Sequence, residues 1–150
     1  MALQKGDKIP NFKSIDVDGN TFNSEDYIGK KAVVIYFYPK DDTKVCTDQA
    51  CSFRDNYEVF KELGAEVIGV SSDSVASHQK FAKKYKLPFI LLSDSDKKLR
   101  KLFGVPSDLL GLIPGRVTYV ADKNGVLQLV FNSMLGKIHI EKALEIIKKM

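Results

Sequence analysis

Cys46 and Cys51 stand five positions apart and are the only two cysteines in a chain of 150 residues. A secreted disulfide scaffold would need more of them, spread along the sequence. A zinc site needs about four ligands. The only two histidines, His78 and His139, lie far away and share no ligand spacing with the cysteines. Each reads as a surface residue of a helix, and no metal or cofactor is expected. The two thiols are therefore either structural bystanders or a redox pair.

The elements around Cys46 decide what its thiol could do. Ala32–Tyr38 is β-branched, aromatic and apolar on both faces, the pattern of a central strand buried on two sides. Pro39 ends it, a polar loop from Lys40 to Thr43 follows, and helical periodicity runs from about Cys46 to Leu63. Cys46 thus falls where a strand has ended and a helix begins, where unpaired backbone N–H groups and the helix dipole favour an anion. A thiolate there becomes a nucleophile. Donors must also meet the charge that develops on a departing group. Thr43 could supply a hydroxyl, or could simply cap the helix. Pro39 could form a rigid wall without an N–H. Arg116, after Pro114-Gly115, could hold an anion with its charged fork, or could form a surface ion pair.

Further along, Asp18-Gly19 marks a hairpin turn between two short N-terminal strands. A strand over Ala65–Ser71, a helix over Val75–Lys86 stopped before Pro88, a strand over Phe89–Leu92 and a small helix over Lys97–Phe103 follow. Arg116–Ala121 and Val126–Phe131 pair across Asn124-Gly125, and an amphipathic helix carrying Ile140, Leu144 and Ile147 closes the chain. This order predicts an α/β thioredoxin-like fold: a central mixed β-sheet flanked by helices, with an N-terminal β-hairpin. No linker or repeat interrupts it, so residues 1–150 are expected to form a single domain.

Composition excludes several classes. No apolar run approaches the roughly 18 residues of a membrane helix, and the first ten residues lack a signal core. A cytoplasmic protein is expected, or a plastid one if a transit peptide has been removed. The net charge of +4 comes from dispersed lysines. Lys83-Lys84 and Lys148-Lys149 read as solvated helix faces, and no aromatic–basic interleaving marks a nucleic-acid site.

Pro39-Lys-Asp-Asp-Thr43-Lys-Val-Cys46 has the form Pro-x-x-x-Thr-x-x-Cys and resembles the active-site segment of peroxiredoxins. Thr47-Asp-Gln-Ala-Cys51-Ser-Phe-Arg-Asp55 is similar to that of the bacterioferritin comigratory protein or peroxiredoxin Q subfamily. So are Gly6-Asp7 through Phe12, Phe81 through Phe89, Leu91 through Asp94, and Pro114-Gly-Arg116. The resemblance runs nearly end to end. It departs at Lys44-Val45, where a Pro-Gly-like pair is usual, and at Gln49, where Glu is often seen.

The resemblance implies a thiol peroxidase that reduces hydrogen peroxide and organic hydroperoxides. Cys46 would be the peroxidatic nucleophile, Cys51 the resolving cysteine, and Thr43, Pro39 and Arg116 the supporting groups. It also implies thioredoxin, or a glutaredoxin, as reductant, a monomeric state, and no cofactor. Five residues along a helix separate Cα atoms by roughly 8.6 Å, whereas a disulfide needs less than about 7 Å. Disulfide formation would therefore require the first turns to unwind. Two rivals remain at this level. A disulfide reductase would show Cys-x-x-Cys, whereas four residues intervene here. A redox sensor would share the first oxidation and differ only in turnover.

Overall fold

The computed structural model describes residues 2–108 and 113–150. β1 (Lys13–Asp16) and β2 (Thr21–Asn23) form the expected hairpin. Its turn is closed by Asp16, whose Oδ1 accepts from the backbone N–H of Asp18 and of Asn20. β3 (Ala32–Phe37) is buried at all six positions. It is followed by α1 (Lys44–Asp55), α2 (Tyr57–Glu62), β4 (Ala65–Ser71) and α3 (Val75–Tyr85). Next come β5 (Ile90–Ser93), α4 (Lys98–Phe103) and a separate short pair, β6 (Ser107–Asp108) with β7 (Ile113–Pro114). β8 (Val117–Ala121), β9 (Leu127–Asn132) and α5 (Gly136–Lys149) complete the chain.

Seven strands make one sheet in the order β2-β1-β5-β4-β3-β8-β9. β3 runs parallel to β4 and antiparallel to β8, so the sheet is mixed, as expected. Alternate residues of β3 face two separate cores. Val34, Tyr36 and Tyr38 pack with Cys46, Ala50 and Phe53 of α1, Phe60 of α2, Phe81 of α3, and Ile140, Ala143 and Ile147 of α5. Val33, Ile35 and Phe37 face Phe12 and Phe22 together with Leu99 and Phe103 of α4. The strand carrying the chain into the Cys46 loop is therefore held on both sides.

Two expectations about the first helix need correction. The helix begins at Lys44, two residues before Cys46, and it does not run unbroken to Leu63. Asn56 interrupts it with φ −106° and ψ 4°. Its side-chain Nδ2 and backbone N–H both donate to the Ser52 carbonyl, so the asparagine amide competes for the helix's own acceptor. The apolar stripe continues through the break because Phe53 and Phe60 both reach the same core.

Phe53 stacks on Tyr36 with ring centroids 4.5 Å apart and is fully buried. With Cys46 and Ala50 it joins α1 to the β3 core. Phe53→Ala is expected to destabilise the reduced protein by about 3–5 kcal/mol in denaturant unfolding.

Candidate active site

After Phe37 the chain passes Tyr38 and half-buried Pro39, turns through Asp42 at φ 57°, and enters α1. The first helical hydrogen bond runs from the Thr47 N–H to the Thr43 carbonyl at 2.8 Å. The amides of Lys44, Val45 and Cys46 thus have no acceptor within the helix, and they surround the Cys46 position with partial positive charge. Thr43 stands at the N-cap position without capping. Its Oγ1 donates to the Lys40 carbonyl at 2.9 Å, which tightens the loop and leaves the oxygen free to accept.

Cys46 is 1% exposed, and Arg116, 2% exposed, reaches it across the sheet. Arg116 Nη2 donates to Cys46 Sγ at 3.2 Å, while Nη1 donates to Gln49 Oε1 one turn along α1. The guanidinium is therefore in contact with the sulfur, not in a surface ion pair. Arg116 Nε and Gln49 Nε2 have no hydrogen-bond partner among the described residues. A fixed cation thus lies beside the sulfur, at the helix start whose first amides lack acceptors.

Arg116 owes its place to backbone contacts. At Gly115 a Cβ would lie 2.1 Å from the Pro106 carbonyl oxygen, so no other residue fits. The Gly115 N–H donates to that same oxygen at 3.0 Å. Arg100 of α4, which nothing in the sequence singles out, donates from Nη2 to the Tyr38 carbonyl and from Nη1 to the Gly115 carbonyl. It ties the end of β3 to the residue before Arg116. Gln49 was visible in the sequence only as a departure from a pattern; here it orients the guanidinium.

Cys51 is half-buried on the same unbroken helix, and both cysteines are free thiols. Burial pushes the Cys51 thiol up; Arg54 opposes this, and Asp55 and Asp48 reinforce it. Cys51 is thereby held as a thiol. α1 is fastened beyond Cys51 by Arg54, whose Nη1 donates to the Tyr85 carbonyl at 2.8 Å. At its other end the first turn of α5 packs against it closely: a Cβ on Gly136 would lie 3.0 Å from the Val45 carbonyl oxygen.

The two histidines correct the sequence reading. Both are fully buried. His139 Nε2 donates to the Ser133 carbonyl, and Nδ1 lies against the Thr118 hydroxyl, each at 2.7 Å. Burial, opposed by the Ser133 carbonyl and helped by the charge of Arg116, pushes its pKa down to about 4. Each histidine lies on the apolar side of its helix, three residues before Phe81 and four before Ala143, so the helical period itself places both inward. His78 lies with Asp41 and Asp73, their polar atoms within 4.8 Å of one another. Those atoms are already engaged by protein hydrogen bonds, so the cluster is a closed network.

A model of the AhpC/TSA family matches residues 5–130 of this chain. The chain is 54% identical over 149 residues to a chloroplastic peroxiredoxin Q of Triticum aestivum, covering 99% of this chain and 68% of that protein. It is 53% identical over 147 residues to a chloroplastic peroxiredoxin Q of Arabidopsis thaliana, covering 97% and 68%. Among solved structures it is similar to the peroxidoxin BcpB of Mycobacterium tuberculosis, with a TM-score of 0.90 at 32% identity, covering 99% of this chain and 98% of that one. A PrxQ of Xylella fastidiosa gives a TM-score of 0.90 at 28% identity, with the same coverages.

The depressed His139 pKa has a consequence for stability. As pH falls from the unfolded value near 6.5 towards about 4, the unfolded chain takes up a proton that folded His139 does not. About 3 kcal/mol of stability, present above pH 6.5, should be lost across that window. Denaturant unfolding at several pH values should show this slope, and His139→Gln should flatten it.

Proposed function

This chain belongs to the AhpC/TSA family and is a peroxiredoxin-type thiol peroxidase, and we propose that Cys46 is its peroxidatic nucleophile. The observation that carries the assignment is the Arg116–Cys46 contact at 3.2 Å in a buried site at a helix start. The thiolate attacks the distal oxygen of a hydroperoxide. The O–O bond breaks, its electron pair leaves with the departing oxygen, and a proton converts that oxygen to water or alcohol. Sulfur is oxidised by two electrons to a sulfenic acid. Arg116 faces the charge on the entering sulfur, and free amides of the α1 first turn face the departing oxygen. The Thr43 oxygen accepts from the peroxide O–H, and Pro39 walls the site from water.

Cys51 resolves this product. Its sulfur attacks the Cys46 sulfenic sulfur, the hydroxyl leaves as water, and an intramolecular disulfide forms. An external dithiol returns two electrons and two protons by exchange. The family implies a thioredoxin-type reductant; a glutaredoxin would serve by the same chemistry. Since both cysteines belong to one helix, the cycle needs no second subunit, which supports a monomer. Among the described residues no helix is long and apolar enough to cross a membrane. A cytoplasm or a plastid stroma each supplies a reducing dithiol, and the chloroplastic names of the relatives support the latter.

The test is steady NADPH consumption with peroxide, thioredoxin and thioredoxin reductase. Cys46→Ser should abolish it, and Cys51→Ser should complete one turnover and then stall. Arg116→Lys, which loses the fork, should lower kcat/KM by about 10²–10³. A flat assay in which Cys46 still oxidises once would favour a sensor. Gly115→Ala touches neither cysteine but displaces the arginine, and should cost about 10²-fold in kcat/KM.

A further inference from the structure

The Cys46 loop contains a buried charge that the chemistry above does not use. Asp41 is 7% exposed, and His78 of α3 is fully buried against it. His78 Nδ1 lies 2.6 Å from Asp41 Oδ2, and its Nε2 lies 2.9 Å from the Leu92 carbonyl oxygen on β5. A carbonyl oxygen only accepts, so Nε2 carries a proton. A carboxylate also accepts, and Oδ2 takes the Ser77 hydroxyl as well, so Nδ1 carries one too. With both nitrogens donating, the ring is an imidazolium.

The pair fastens one point of the catalytic loop to several elements. Asp41 Oδ1 accepts from the Tyr38 hydroxyl at 2.5 Å, at the end of β3. The Asp41 N–H donates to Asp73 Oδ2 at 2.8 Å, beyond β4, and Asp73 in turn accepts from the Ser71 hydroxyl. The next residue, Asp42, takes up its left-handed conformation and accepts from Lys84 and Tyr85 of α3. Beyond that point Thr43 to Asp48 have no such anchor on α3 in the described residues; the next is Arg54 on the Tyr85 carbonyl. The stretch between these anchors contains both cysteines.

We propose that His78 is a positioning residue for Cys46: as an imidazolium it holds Asp41 and so fixes the loop end from which α1 starts, and peroxide reduction weakens as His78 loses its proton. A neutral ring has one N–H. It must release either the Asp41 carboxylate or the Leu92 carbonyl, and either leaves a buried acceptor unpaired. The loop then loses its anchor and the helix start its fixed place beside Arg116.

The groups facing His78 are Asp41 from the loop, Asp73 from the turn before α3, the Tyr38 ring from β3 and the Leu92 carbonyl from β5. Burial lowers the His78 pKa; the hydrogen bond and charge of Asp41, the Leu92 carbonyl and Asp73 outweigh it and raise the value above 6.5. A raised folded value means that the clamp is complete below about pH 6.5 and is lost as pH rises through the folded pKa.

The proposal rests on Cys46 as nucleophile, and its test separates the two readings. With only two histidines, ¹⁵N-histidine NMR resolves each ring. At pH 6 His78 should have both nitrogens protonated and His139 one. The rate of single-turnover Cys46 oxidation by hydrogen peroxide should show an alkaline decline with the His78 midpoint. Asp41→Asn should move the NMR midpoint and the decline to lower pH together, about tenfold in rate at fixed pH for each unit moved. His78→Gln should remove the decline. A singly protonated His78 at pH 6 overturns the proposal. So does a decline that stays in place when the His78 midpoint moves. If a variant fails to fold, the wild-type spectrum and rate profile still decide it. Failure of Cys46 to oxidise at any pH would remove both readings, whereas a rate indifferent to His78 removes only this one.

Discussion

A permanently charged guanidinium buried to 2% exposure is the constraint around which this site is built. Taking such a group from water is costly unless an opposite charge and good acceptors meet it. Arg116 finds the amide oxygen of Gln49 and the sulfur of Cys46, while its Nε stays unpartnered among the described residues. Gln49 is neutral, so neither of these two contacts brings a carboxylate to the guanidinium. The arginine and the cysteine sulfur are held in direct contact. The surrounding fold serves to keep them in register: Gly115 is forced by the Pro106 carbonyl, and Arg100 ties Gly115 to Tyr38.

The same helix start meets two opposite demands. Folded, α1 offers free amides and seats Cys46 against the β3 core. For Cys51 to reach it, the turns between them must open, since both lie on one helix as unbonded thiols. The anchoring contacts are distributed accordingly. Asp41, Asp42 and Arg54 hold the chain to α3 before and after the segment, and Phe53 holds its far end on Tyr36. Between them lie exposed Lys44 and Val45, with the α5 first turn resting on Val45. Within the segment Cys46 and Gln49 are tied to Arg116, so opening must break those contacts as well.

The two buried histidines respond to pH in opposite senses because their partners differ. His139 faces a hydroxyl, a carbonyl and the positive field of Arg116, and it stays neutral. His78 faces a carboxylate and a carbonyl, both pure acceptors, and its pKa is raised. Each ring is dictated by what the neighbouring elements offer it.

The order of the main strands and helices was legible in the sequence, because their periods are local and Asp-Gly, Asn-Gly and Pro punctuate them; the two-residue strands β6 and β7 are too short to carry a period. The family was legible too, because Pro39, Thr43, Cys46 and Cys51, which carry the resemblance, lie within 13 residues of one another along the chain. Arg116 was named from resemblance, not from spacing. Only the tertiary structure decided that it touches Cys46, 70 residues away, since β8 pairs beside β3 through long-range sheet register. The break at Asn56 also lay beyond periodicity, which does not register a side chain taking a helix carbonyl. Arg100, Gln49, Asp41 and His78 were out of reach for the same reason. A polar residue's role depends on which acceptor or charge the fold brings to it, and a helical period reports only which side it faces.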